Sequence, residues 1–398
     1  MEDLFRHSQL RVTETPIKFK RYLYSDIQWD DHLIGITGAR GTGKTTLMLQ
    51  YIHDHYATSP DALYVSLDDF YFSRNRPFDL AEEFYNSGGK HLFIDEVHKY
   101  PHWSVEIKNI SDTFQSLKIV FSGSSAIELQ KAEADLSRRV AMYHLHELSF
   151  REYIELAENI HFDPFSLLDI IARHPEISPD IVQKIKPIKH FKDYLETGAY
   201  PYFTEAKGKF RERTAATVNV IIENDLQMLE NLNYRTVIKL RKLISILADS
   251  VPFKPNVAEL SRKTEVSRDV LLRLLDLLQR AGLLRLVRQT GAPSSYLTKP
   301  EKIYLNNTAL LYALTLSPVP EKGTIRETFF LNQMGLNHRV TVPKEGDFLV
   351  NDHYLFEVGG KNKSSSQITG KSESFIAKDD IEFGYKNIIP LWLMGFLY

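Results

Sequence analysis

The feature that most constrains this chain is an eight-residue run, Gly38-Ala39-Arg40-Gly41-Thr42-Gly43-Lys44-Thr45. It fits the spacing G-x-x-x-x-G-K-[ST], and each fixed residue type has a physical task. The glycines let backbone N–H groups turn inward around a β-phosphate. Lys44 brings positive charge to the β- and γ-phosphates, and the Thr45 hydroxyl is a ligand for Mg²⁺. The flanks fit as well. Residues 33–36 form an apolar strand, and Thr45-Thr46-Leu47-Met48 opens a helix whose N-terminus favours an anion. Residues 38–46 therefore read as an ATP site, with Lys44 the least replaceable of them.

Residues 17–155 alternate short apolar runs with helical stretches. The runs at 33–37, 62–67, 91–95 and 118–122 are about five residues long, as expected for buried parallel strands of an α/β sheet. A second part of the ATP site should lie on a neighbouring strand. His91-Leu92-Phe93-Ile94-Asp95-Glu96 ends in two acids: Asp95 is placed to hold Mg²⁺, mostly through water, and Glu96 to polarise an attacking water. Ser122-Gly123-Ser124-Ser125 ends the next strand, and two readings stay open there: a γ-phosphate or water contact by Ser122, or an ordinary turn with a serine cap. Arg139, after Arg138, is a candidate transition-state arginine, in cis or from a second copy; the alternative is a surface pair. Asp68-Asp69 reads as a turn.

Composition narrows the setting. With 398 residues the chain should hold two to four domains. It has no cysteine, which removes disulfides, zinc thiolates and cysteine nucleophiles and fits a cytoplasmic location. The N-terminal residues have no apolar run of signal-peptide length, and no stretch of about 18 apolar residues predicts a membrane span. The apolar run 388–398 reads as a buried final strand.

The formal net charge of −2 is uninformative as a whole, but residues 235–288 hold 12 Lys or Arg against 5 Asp or Glu. That segment reads as three helices and a hairpin wing. The helices cover 236–249, 256–263 and a third capped by Ser267; the hairpin pairs 283–288 with 302–305. Arg268, Arg273 and Arg280 are candidates for phosphate contacts with DNA. The competing reading is a lid over the nucleotide or a protein-contact surface, because Val270, Leu271, Leu274, Leu275, Leu277 and Leu278 call for burial. Residues 156–213, with five prolines, read as short helices and connections.

Taken together, these residues resemble the bacterial and archaeal AAA-type P-loop ATPases with a poorly defined C-terminal region. The resemblance rests on Lys20-Arg21-Tyr22-Leu23, the entry Gly35-Ile36-Thr37 to the phosphate loop, Ile94-Asp95-Glu96-Val97-His98-Lys99 with Trp103, Ser122-Gly123-Ser124-Ser125-Ala126, Arg139, Leu148-Ser149-Phe150-Arg151-Glu152-Tyr153 and Tyr194-Leu195-Glu196-Thr197-Gly198-Ala199-Tyr200-Pro201. It implies a P-loop core at 1–155, a helical connection or lid at 156–214, a winged-helix domain at 215–316, and a small α+β domain at 317–398 like the PD-(D/E)XK, restriction-endonuclease-like nucleases. Such a site needs acids on a hairpin and its next strand and a lysine two residues later, with a glutamate from an upstream helix. Glu327, Asp347, Glu357 and Lys361 occur in that order, with Gln367 beyond. Gly359 stands where the lysine is expected, so Lys361 or Lys363 has to reach back. The preferred expectation is an ATP- and Mg²⁺-dependent ATPase coupled to the later domains, on DNA through 235–288 and as a homo-oligomer through Arg139. The alternatives are an ATP-regulated DNA nuclease and a scaffold ATPase that binds a protein and no DNA.

Overall fold

The computed structural model describes residues 1–57, 59–123, 139–206, 208–226, 232–250, 256–293, 295, 298–317, 319–363 and 372–398. Ser124, Ser125, Ala126, Arg138 and Gln367 lie outside them. The chain divides into two compact units, Met1–Glu147 and Leu148–Tyr398.

The first unit is built on a parallel sheet of β1 (Leu33–Thr37), β2 (Ala62–Ser66), β3 (His91–Asp95), β4 (Lys118–Gly123) and β5 (Ala141–His144). Their order is β2-β3-β4-β1-β5. The inner strands are buried on both faces, which is why they read as continuous apolar runs rather than alternating ones. Alternate side chains feed two cores. Leu63, Val65, Leu92 and Ile94 pack with Phe84, Ile107 and Ile110; Ile34, Ile36, Phe93 and Val120 pack with Leu47, Met48 and Ile52. The register pairs Thr37 with Gly123 and Ser66 with Asp95, so the strands end along one edge.

Helix α1 (Glu2–Glu14) was not foreseen in so polar a segment. It buries Leu4, Ser8 and Val12, a spacing of four that gives one narrow inward stripe. It lies against β2, an edge strand, and the Ser8 hydroxyl accepts the outward Tyr64 N–H at 3.0 Å. The edge is thereby covered. Helix α2 (Lys44–His55) follows the phosphate loop, and α3 (Trp103–Thr113) follows β3.

The second unit opens with α4 (Phe150–Glu158), α5 (Leu167–Val182) and α6 (Pro187–Thr197). Complete capping boxes start α4 (Ser149 with Glu152) and α5 (Ser166 with Asp169). Short helices and connections were expected here, but α5 runs 16 residues through Pro175 and Pro179. Pro175 has no amide for the Ile171 carbonyl, and His174 Nδ1 donates to that carbonyl at 3.2 Å instead.

The basic segment folds as α7 (Tyr234–Ala248), α8 (Val257–Thr264) and α9 (Arg268–Arg280), followed by the antiparallel pair β6 (Leu284–Val287) and β7 (Lys302–Leu305). Asn256 and Ser267 cap α8 and α9 through their side-chain oxygens. Helix α10 (Lys322–Met334) leads to a mixed sheet of β8 (Val340–Thr341), β9 (Phe348–Val350), β10 (Tyr354–Gly359), β11 (Ser374–Lys378) and β12 (Ile388–Pro390), ordered β12-β11-β10-β9-β8. The apolar end is not one long strand: β12 is three residues long, and Leu391–Phe396 forms a 3-10 helix. Pro390 ends the ladder because it has no N–H to give. The run is nonetheless buried. Phe396 meets Phe150 with ring centroids 5.9 Å apart, and Arg151 Nε donates to the Tyr398 carbonyl at 2.9 Å. Among the described residues no helix is long and apolar enough to cross a membrane.

Candidate functional site

The strand edge formed by β1, β3 and β4 carries the phosphate loop. Gly38, Gly41 and Gly43 all have positive φ. Gly38 is required twice over: φ is +151°, and a Cβ there would lie 2.3 Å from the Leu145 carbonyl oxygen. Within the loop Thr42 Oγ1 donates to the Ala39 carbonyl at 2.9 Å. Arg40 and Thr46 are half-buried beside it. Lys44, at the first turn of α2, is buried and donates to the carbonyls of Gly38 at 2.8 Å and Ala39 at 3.0 Å. Its ammonium is thus held at the concave side of its own loop.

Below the loop, the Asp95 side chain is the centre of the polar network and is 2% exposed. Thr45 Oγ1 donates to Asp95 Oδ2 at 2.6 Å, and the Tyr64 hydroxyl donates to the same oxygen at 2.8 Å. Ser122 Oγ and the Glu96 N–H both donate to Oδ1. The hydroxyl of Thr45 and the carboxylate of Asp95 are hard oxygen donors on adjoining elements, a set that fits Mg²⁺. Glu96 adopts a left-handed backbone at φ +51°, which turns it out of the strand line. Its Oε2 lies 3.4 Å from Nε2 of the buried His98.

Two residues around the site carry no local chemical signal in the sequence. Tyr64 sits inside an apolar strand, where an aromatic reads as core. Its hydroxyl proton is held far more tightly than in free tyrosine, first by burial and then by the charge of Asp95. Arg21 is 5% exposed. Its guanidinium donates to the Thr42 carbonyl within the phosphate loop, to His146 O at 2.8 Å and to Glu147 O at 3.1 Å. Only its place in a resembling block, Lys20-Arg21-Tyr22, marked it.

Arg139 is elsewhere. It precedes β5, whose Ala141 pairs with Ile34 at the opposite end of β1 from the loop. Its Nε donates to Asp112 Oδ1 at 2.9 Å beside His32 and Ser111. A strand length, about 13 Å, separates that edge from the phosphate loop. The cis role left open from the sequence does not match this placement. Asp68 and Asp69 make local turn contacts, with Ser66 Oγ at 2.5 Å and Tyr71 N at 2.8 Å.

The second unit brings Glu327, Asp347 and Glu357 together, but not with Lys361, which is exposed. Lys363 takes the expected place. Its Nζ is 2.5 Å from Glu357 Oε2 and 3.7 Å from Asp347 Oδ2. Lys302, on β7, is 3.1 Å from Glu327 Oε2 and 4.0 Å from Asp347 Oδ1, and the Tyr304 hydroxyl also donates to Glu327. Burial raises the Glu357 carboxyl above the ordinary range, against the pull of Lys363. The Lys363 ammonium is held above its ordinary value: burial opposes this, but the hydrogen bond to Glu357 and the charge of Asp347 outweigh it. Ammonium groups occupy the positions between these carboxylates. Among the described residues no group of three or more His, Asp or Glu side chains is arranged to hold a metal ion. The cluster does not fit a divalent cation in this arrangement.

The parallel sheet, glycine-rich loop and acidic strand end give the first unit a P-loop fold. In agreement, residues 30–154 match the family described as "AAA domain", and residues 188–320 match a domain of unknown function, DUF8612. The chain is 26% identical over 418 residues to the uncharacterized protein MJ1637 of Methanocaldococcus jannaschii, covering 96% of this chain and 87% of that protein. Among solved structures it is similar to the Walker-type ATPase PABY2304 of Pyrococcus abyssi (TM-score 0.40, 14% identity, 79% of this chain and 96% of that one). It is also similar to AMPPCP-bound DnaA from Aquifex aeolicus (TM-score 0.29, 14% identity, 70% of this chain and 88% of that one).

Proposed function

We propose that this chain is a Mg²⁺-dependent ATPase whose nucleotide state is passed from the first unit to the second. The carrying observation is the 2.6 Å hydrogen bond from Thr45 Oγ1 to Asp95 Oδ2 beneath a loop that already holds the Lys44 ammonium inward. The loop amides and Lys44 bind the β- and γ-phosphates, and the phosphate oxygens replace the Gly38 and Ala39 carbonyls as acceptors for Lys44. Thr45 and Asp95 would hold Mg²⁺, which when bound supplies charge neutralisation on the phosphate oxygens. Glu96 receives a proton from the attacking water at its carboxylate, one oxygen of which lies 3.4 Å from His98 Nε2. Acceleration comes from positioning and charge stabilisation, not from covalent chemistry.

Coupling is supported by Arg21. One guanidinium joins the phosphate loop at Thr42 to the carbonyls of His146 and Glu147, the last residues of the first unit. A change in the loop backbone on phosphate binding therefore pulls on the segment where the chain leaves that unit.

For the second unit we favour a winged-helix-like reading of α7 to β7, with contact to a partner or lid ranked above DNA. Six leucines of α9 are buried, and four of the twelve basic residues are ion-paired: Arg241 with Glu223, Lys242 with Glu265, Lys263 with Glu259 and Arg280 with Asp276. The lysine-filled carboxylate cluster favours a binding or structural role for the nuclease-like sheet over DNA cutting. ATP turnover measured with and without DNA in one buffer, with Lys44→Ala as control, tests the proposal. Turnover equal to the Lys44→Ala background would reject the ATPase, and stimulation by DNA that weakens with salt would restore the DNA reading.

A further inference from the structure

Helix α1 is more than a cover for the sheet edge. We propose that Arg11 of α1 and Tyr64 of β2 are positioning residues for the Mg²⁺-binding carboxylate Asp95, so that the N-terminal helix is part of the nucleotide site. This rests on the ATPase reading given above.

The geometry fixes the direction of each proton. Arg11 Nη1 stands 3.1 Å from the Tyr64 hydroxyl oxygen. A guanidinium has five N–H donors and no acceptor, so this bond must run from Arg11 to Tyr64. The single phenolic proton of Tyr64 is then directed to Asp95 Oδ2 at 2.8 Å. Tyr64 is 4% exposed, so its hydroxyl is held among these protein partners. Asp95 Oδ2 also accepts the Thr45 hydroxyl. One carboxylate oxygen thus takes two hydroxyl donors, one from Thr45 on α2 and one from Tyr64 on the neighbouring strand β2.

Two further contacts hold the relay in register. The Ser8 hydroxyl accepts the Tyr64 N–H at 3.0 Å, one turn of α1 before Arg11. The Arg11 guanidinium carbon lies 5.5 Å from the Tyr64 ring centroid, within cation–π range. Arg11 itself is exposed, at the rim of a groove lined by Leu4, His7, Ser8, Asp68 and Asp69. The chain of contacts therefore runs from the surface to the metal carboxylate in three residues.

Loss of the Tyr64 hydroxyl leaves a buried carboxylate with one donor fewer. The Asp95 carboxylate is then free to rotate away from Thr45. Mg²⁺ dependence is the readout that a merely structural tyrosine would not move.

The test is equilibrium binding of a fluorescent, slowly hydrolysed ATP analogue to the full chain at increasing Mg²⁺, with melting temperature as the folding control. Tyr64→Phe should raise the Mg²⁺ concentration for half-maximal effect about tenfold, while binding without Mg²⁺ is unchanged. Arg11→Ala, a surface change that cannot empty the core, should raise it about threefold, and Arg11→Lys should recover most of that. A folded Tyr64→Phe protein with an unchanged or lower Mg²⁺ requirement overturns the inference. Wild-type response in Arg11→Ala removes α1 from the site. If the wild type binds no analogue at any Mg²⁺, the ATPase reading itself fails and takes this inference with it.

Discussion

The stem of Lys363 lies across Gly359. A Cβ on Gly359 would meet Cβ, Cγ and Cδ of Lys363 at 2.7 to 2.8 Å. The glycine that broke the expected lysine spacing is what lets a lysine four residues later fold back onto the same carboxylates. Gly359→Ala should therefore displace Lys363 from Glu357 and Asp347.

Removal of the ammonium itself is the direct measurement. Lys363→Ala leaves Glu357, which has no exposed side-chain surface, without its ion pair. A broken buried pair costs about 3–5 kcal/mol; with Lys363 29% exposed, the loss in denaturant unfolding should be roughly 2–3 kcal/mol. Lys363→Ala combined with Glu357→Gln should recover part of it, because no uncompensated charge remains. A double variant no more stable than the single one would count against this account.

The roles of Lys44 and Glu96 separate in binding and turnover. Lys44→Ala should lose ATP binding, since the loop keeps its turns but loses its cation. Glu96→Gln should bind ATP normally and hydrolyse it at least about 100-fold more slowly, the usual scale for a lost general base. Equal turnover by wild type and Glu96→Gln would remove Glu96 from its role.

Arg139 can serve a phosphate site only in a second copy of the chain. If it does, Arg139→Ala should lower turnover by about 10³-fold without weakening ATP binding. Mixing Arg139→Ala with Glu96→Gln, each inactive, should restore activity, because an interface between them can hold one intact pair. No recovery at any mixing ratio would leave Arg139 as half of a surface pair with Asp112.

Acid stability carries the mark of His91. Burial, helped by the nearby Lys118 charge, lowers its pKa from the ordinary 6.5 to about 3. Between those values the unfolded chain binds the proton and the folded chain does not, so stability falls as pH drops from 6.5 towards 3, by about 1.4 kcal/mol per pH unit in its steepest part. His91→Gln should flatten that part of a pH–stability curve. An unchanged slope would show that other groups set it.

Local chemistry made much of this protein readable from sequence. The phosphate loop, Asp95 at its strand end and the cap at Ser267 all rest on spacing within a few residues. Continuous apolar runs gave the parallel strands because a strand buried on both faces leaves no alternation. Pairing between distant residues could not be read this way. Tyr64 looks like any core aromatic until β2 is set beside β3 and its hydroxyl reaches Asp95. Arg21 looks like a surface residue until its guanidinium meets three carbonyls. Arg139 lies far from Thr45 only because β5 runs parallel to β1, and Lys363 displaces Lys361 only because Gly359 leaves it room. A single sequence encodes backbone preference and periodic burial directly. Which polar atoms meet is decided by the packing of whole elements, where a shift of one residue in register would exchange every partner.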